Sequence, residues 1–176
     1  MEAIRGILER RRKTQAAFCI REHRVGDMGI ITSRHGVLYH SEYGWDERFE
    51  ALVGRIAADF IDHFDRGKEK CFVAEQNGEV VGSAFVVRQS DEVAKLRLLY
   101  VEPKTRGTGL GTRLVRECIA FAKQAGYRTM VLWTNSVLAD ARRIYQREGF
   151  SLIDQEPHHS FGRDLVGETW SLTLCE

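Results

Sequence analysis

Apolar positions Phe49, Leu52, Val53, Ile56, Ala57, Phe60, Ile61 and Phe64 recur at steps of three and four, the spacing of one helix face. They predict an amphipathic helix over residues 46–64 whose apolar side must cover a sheet. Another helical stretch precedes it over residues 27–43. Gly44 breaks the two apart, and Asp46 is a good N-cap for the second. The period then shortens to that of strands. Residues 71–75 and 80–88 are β-rich runs joined by Gln76-Asn77-Gly78-Glu79, whose Asn-Gly pair suits a tight hairpin turn with positive φ. Over residues 94–101, Lys95 and Arg97 alternate with Leu96 and Leu98. The strand then turns apolar on both faces at Leu99, Tyr100 and Val101, so its C-terminal end reads as its buried end.

Pro103 stops that strand, a glycine-rich loop follows, and a helix runs to about residue 125 with Leu110, Leu114, Val115, Cys118, Ile119 and Ala122 on one face. Gly126 ends it. Residues 129–133 form a further strand, residues 138–148 a helix closed by Gly149, residues 150–153 a short strand and residues 169–174 the last one. With a first strand at residues 17–21, the order is β-α-α-β-β-β-α-β-α-β-β, an α/β or α+β domain over residues 17–176. Residues 1–16 mix basic and apolar positions and read as a short basic helix or a linker remnant.

The composition is that of an ordinary globular protein: 43% of the 176 residues are apolar, 29% are charged and only two are prolines. A net charge of +1 offers no field for nucleic acid, so none is expected as a partner of the main body. No apolar stretch approaches the roughly 18 residues of a membrane span. Cys19, Cys71, Cys118 and Cys175 are scattered, and read as reduced thiols of a cytoplasmic protein. No histidine or cysteine spacing suggests a metal site.

The sharp chemical signal is Arg106-Gly107-Thr108-Gly109-Leu110-Gly111-Thr112, set between a buried strand and an amphipathic helix. Unpaired backbone N–H groups and the helix dipole converge there and suit a phosphate, and glycines remove the β-carbons that would hold an anion away. The spacing is not the G-x-G-x-x-G of a dinucleotide fold, because Thr112 or Leu114 stands where the last glycine should be. A P-loop lysine is also missing after Gly111, which Thr112 and Arg113 follow.

Arg106, Gly109 and Gly111 do match [Q/R]-x-x-G-x-[G/A], and here the chain resembles the GNAT acetyltransferases. The context agrees: a helical pair, a hairpin, a strand ending in Val101-Glu102-Pro103, the loop, a further strand, then a helix with Tyr145 followed by Gly149-Phe150. The resemblance implies a mixed, mainly antiparallel sheet flanked by helices and splayed between strands four and five, with acetyl-CoA as co-substrate. It places the pyrophosphate on residues 106–112, including Thr108, Leu110 and Thr112, and the pantetheine arm along Leu99, Tyr100 and Val101. It also makes Tyr145 the acid for the leaving sulfur; read from the residues alone, Tyr145 is equally an aromatic of the helix's core face.

Relatives carry an asparagine seven residues before that tyrosine, where this chain has Leu138; Asn135 either substitutes for it or caps the helix. The glutamate that often acts as base aligns with Lys95 and Trp133, neither of which is such a base. Glu42, Asp46, His40 and His159 are nearby candidates that read more simply as solvated or structural. By the same analogy Tyr39, Tyr43, Trp45, His159 and Phe161 wall the acceptor site, where aromatic rings would accept a flat or cationic group. The acceptor is an amine of a small molecule or a protein, and a homodimer stays open. Residues 34–45, 132–135 and 159–162 further resemble the acetyltransferase half of bacterial proteins that join a MarR-like DNA-binding domain to a GNAT domain. That likeness keeps an acetyl-CoA-binding regulatory module as the alternative to an enzyme.

Overall fold

The computed structural model describes residues 17–175. The basic helix expected over residues 1–16 lies outside them. In chain order the elements are β1 (Cys19–Glu22), α1 (Asp27–Tyr43), α2 (Glu47–Asp62), β2 (Lys70–Gln76), β3 (Glu79–Arg88), β4 (Val93–Val101), α3 (Leu110–Gln124), β5 (Thr129–Asn135), α4 (Ala139–Arg147), β6 (Ser151–Ser160) and β7 (Arg163–Thr173), with a 3₁₀ turn at Pro103–Thr105. The strands form one sheet in the order β1-β2-β3-β4-β5-β7-β6, antiparallel throughout except for β4 beside β5.

Local chemistry sets several boundaries as expected. Asp46 accepts a hydrogen bond from the Arg48 backbone N–H at 3.0 Å and caps α2. Gly44 ends α1 with φ of 69°, and Asn77-Gly78 makes the β2–β3 turn with both φ values positive. Side chains alternate between two cores, as strand geometry requires. On β2, Phe72 and Ala74 face the cluster built by Leu110, Leu114, Val115 and Cys118 of α3, whereas Cys71 and Val73 face Ile31, Leu38 and Phe60 of α1 and α2.

Two features depart from the sequence pattern. The alternation on β4 breaks at Leu98, which has φ of 49° and takes up a β-bulge opposite Ala84. One extra residue reverses the faces beyond it: Leu96 packs in the α3 cluster, Leu98 packs with α1 and α2, and Leu99 and Val101 return to the α3 side. The last two strands are also far longer than residues 150–153 and 169–174, and form a hairpin of 10 and 11 residues. β6 is an edge strand exposed along most of its length, so nothing requires its side chains to show an apolar alternation, and Pro157 is tolerated in it.

Candidate active site

The β4–β5 ladder runs only from Val93 opposite Thr129 to Leu96 opposite Leu132. Beyond it the strands separate, so the β5-facing backbone of Arg97 to Val101 has no strand partner, and a cleft enters the sheet. Leu99, Leu138, Ala141 and Tyr39 wall both ends of this cleft.

One end, a cavity of about 430 Å³, is closed by the glycine loop and the start of α3. Gly107 and Gly109 have φ of 75° and 84°, and a β-carbon on either would point into open space. Thr108 is fixed by its hydroxyl, which donates to the Thr105 carbonyl at 2.5 Å. The loop is thus a cradle of backbone N–H groups with room for an anion. Gly111 differs, and the expectation that it clears the anion's approach is corrected. A β-carbon there would lie 2.8 Å from Ile144 Cδ1, so this glycine lets α3 pack closely on α4. Leu110 is buried in the α3 core, while Thr112 lies on the cavity wall. Arg106 is held by a two-point ion pair with Glu42, at 2.9 and 2.6 Å. Arg143 and Arg147 of α4 also line this end, and sequence reasoning missed them; their spacing of four on a helix facing the loop was the available signal.

The other end is a cavity of about 180 Å³ among α1, α2, β4, β5 and α4. Tyr145 enters it from the α4 side, its ring 5.8 Å from Phe150 and 6.5 Å from Trp170. Burial pushes its phenol well above the ordinary tyrosine value, so the hydroxyl stays protonated. Asn135 lies here rather than at the loop; its side-chain oxygen is bonded to His158 Nε2 at 2.8 Å, and it does not cap α4. Trp133 lies over Gly167, where a β-carbon would come within 2.8 Å of the indole. The tip of the β6–β7 hairpin, Phe161-Gly162, docks on the α1–α2 turn: Asp46 N–H donates to the Phe161 carbonyl at 3.1 Å, and Phe161 packs 5.1 Å from Trp45. Phe161 therefore backs the wall that Trp45 presents, whereas His159 is exposed and paired with Asp164 at 2.8 Å.

Tyr100 points away from the cleft, so only its backbone can serve there. Its ring lies 4.9 Å from that of His35, and both the Tyr100 hydroxyl and His35 Nε2 are buried without a partner among the described residues. His35 Nδ1 donates to the Ile31 carbonyl at 2.8 Å, and burial pulls the imidazole down to about 4. The remaining base candidates have structural tasks. Glu42 holds Arg106, His40 donates to the Trp45 carbonyl at 2.9 Å, and Asp46 caps α2 and pairs with Arg48. A third missed residue is Glu168, fully buried on β7, where Arg142, Gln155 and Trp170 donate to its carboxylate at 2.9 to 3.1 Å and brace α4 against the sheet. Among the described residues no cluster of side chains suits a metal, and no helix is long and apolar enough to cross a membrane.

Known proteins share this arrangement. An acetyltransferase (GNAT) family profile matches residues 38–150. An uncharacterized N-acetyltransferase of Methanocaldococcus jannaschii is 36% identical over 48% of this chain, and the N-acetylaspartate synthetase of Xenopus tropicalis is 32% identical over 62%. The matches span 40% and 41% of those relatives' own lengths. A Salmonella typhimurium protein described as an acetyltransferase, solved with its cofactor acetyl-CoA, superposes with a TM-score of 0.74 over 91% of this chain and 95% of its own, at 27% identity. The open glycine cradle, the helix N-terminus behind it and the Arg147 guanidinium fit the anionic pyrophosphate of that co-substrate, while Arg143 is paired with Asp140. By profile, architecture and cleft alike, the chain belongs to the acetyltransferase (GNAT) family.

Proposed function

We propose that this chain acetylates an amine by direct attack of the amine nitrogen on the thioester, with Tyr145 as general acid. The observation that carries the reading is continuity: the glycine cradle and the Tyr145 hydroxyl occupy opposite ends of one cleft, which passes the unpaired backbone edge of Leu99 to Val101. Acetyl-CoA supplies the activated acetyl group. The backbone N–H groups of residues 107–112 bind its pyrophosphate, with Arg106 held beside them. The freed edge of β4 orients the arm and offers hydrogen bonds where charge grows on the acetyl oxygen. Tyr145 gives its proton to the departing sulfur as the C–S bond breaks, and the proton released from the amine leaves to water. None of the four cysteines lines the cleft, and burial pushes the Cys71 and Cys118 thiols up, which supports direct transfer over an acyl-cysteine route. Residues 17–176 serve in this reading as one catalytic domain. The three segments that resemble the acetyltransferase half of MarR-like fusions all converge on the acceptor end.

The test is Tyr145→Phe, which keeps the ring and removes the donor. Acetyl-CoA should still bind, while kcat falls about 100-fold, the lower end for general-acid help. The loss should shrink with a more acidic leaving thiol. An unchanged kcat across the pH range would return Tyr145 to the core. Acetyl-CoA binding without thiol release for any amine would favour a regulatory module instead.

A further inference from the structure

Two cations in the acceptor end have no counter-charge. Lys95 and Arg97 stand two residues apart on β4, on the face turned toward α2, and both line the smaller cavity together with Trp133. The side chains lining that cavity include no carboxylate. Among the other described residues the partly buried guanidiniums are matched: Arg21 by Asp27 and Glu75, Arg34 by Glu102 and Arg142 by Glu168. Lys95 and Arg97 are half-buried too, yet among the described residues neither side chain forms a hydrogen bond or an ion pair. Burial pulls the Lys95 ammonium below its ordinary value, and the Arg97 charge adds to this; burial likewise lowers Arg97, with only the distant pull of Asp59 on α2 against it. Two like charges with reduced hydration are costly unless an anion joins them.

We propose that the acceptor is a small aminocarboxylate, whose carboxylate binds between Lys95 and Arg97 while its amine reaches the open β4 edge at Leu99. This rests on the acetyltransferase reading and names its substrate class. The placement agrees, because Lys95, Arg97 and Leu99 line the same small cavity, so one short aminocarboxylate reaches the cations and the strand edge together. The cavity of about 180 Å³ suits one such molecule. The same charges answer the missing base. Two fixed cations disfavour an ammonium beside them and so favour the neutral amine that can attack. They also oppose polyamines, so this proposal stands against the cationic acceptor that the aromatic walls alone suggest.

The experiment measures kcat/KM with acetyl-CoA for free amino acids and ω-amino acids, their carboxamides, spermidine, and a peptide with an acidic N-terminal residue. Aminocarboxylates should lead their own amides by about 10- to 100-fold, the worth of one hydrogen bond to a charged group. That ratio should fall toward one in Arg97→Gln and Lys95→Met, with acetyl-CoA affinity as the folding control. Equal rates for acid and amide, or a preference for spermidine, would overturn the proposal. Turnover of the peptide alone would overturn its small-molecule part. If no amine turns over, calorimetry of the same amino acids on CoA-saturated protein decides. Binding that depends on Arg97 would support the anion site and sink the transferase reading, and no binding would sink the anion site.

Discussion

At the loop end of the cleft, residues 106–112 assemble an anion cradle from seven consecutive positions, mostly through backbone. At the acceptor end, Tyr39 of α1, Trp45 of the following turn, Lys95 and Arg97 of β4, Trp133 of β5 and Tyr145 of α4 meet as side chains drawn from a span of more than a hundred residues. A backbone site depends on φ, ψ and the absence of β-carbons, so few substitutions preserve it. A side-chain site depends on packing, and can change its chemistry while the fold stays the same. The contrast accounts for a loop whose motif is legible in seven residues while the acceptor end shows none of its chemistry in any one segment.

The comparison is sharpened most by Gly109→Val set against Gly111→Val. At φ of 84° a valine is strained, and its side chain fills the open space of the cradle. Acetyl-CoA affinity should fall about 100-fold or more, as when two charge-assisted hydrogen bonds are lost. Gly111→Val instead meets Ile144 and should cost about 1–3 kcal/mol of stability through overpacking, with the smaller loss of affinity. Calorimetry and thermal melts separate the two, and identical profiles would erase the distinction drawn between these glycines.

Next in size is an acid sensitivity confined to the acceptor side, where His35 stacks 5.8 Å from Tyr39. In the unfolded chain this histidine takes a proton near pH 6.5, but in the fold only near 4. Between those values the unfolded state binds more protons, so stability is unaffected above about pH 6.5 and falls as pH drops toward 4. The cost at pH 5 should be about 2 kcal/mol. Denaturant titrations of wild type and His35→Leu check this, since the variant should lose that part of the slope; equal slopes would assign the acid sensitivity elsewhere.

The smallest effect should come from Gly167→Ala, which must shift the Trp133 ring. The KM for the amine should rise about threefold to tenfold, for a packing cost near 1 kcal/mol, while acetyl-CoA affinity holds. A change in acetyl-CoA affinity of the same size would mean that the two ends are coupled rather than separately built.

Much of this protein was legible in its sequence because the determining forces are local. Gly44, Asp46, Asn77-Gly78 and the 3.6-residue periodicity of α2 and α3 act within a few positions, and so does the glycine loop, whose anion chemistry needs only a strand before it and a helix after it. The tertiary structure alone decided three things. The bulge at Leu98 reverses the faces of β4, and no spacing announces one extra residue. The β6–β7 hairpin is twice its apparent length, because an edge strand open to solvent carries no apolar alternation. The charge balance of the cleft, where Glu42, Asp46 and His40 beside it are spoken for and Lys95 and Arg97 are not, depends on which side chains meet across the fold, and pairing at a distance leaves no mark on the residues that flank each partner.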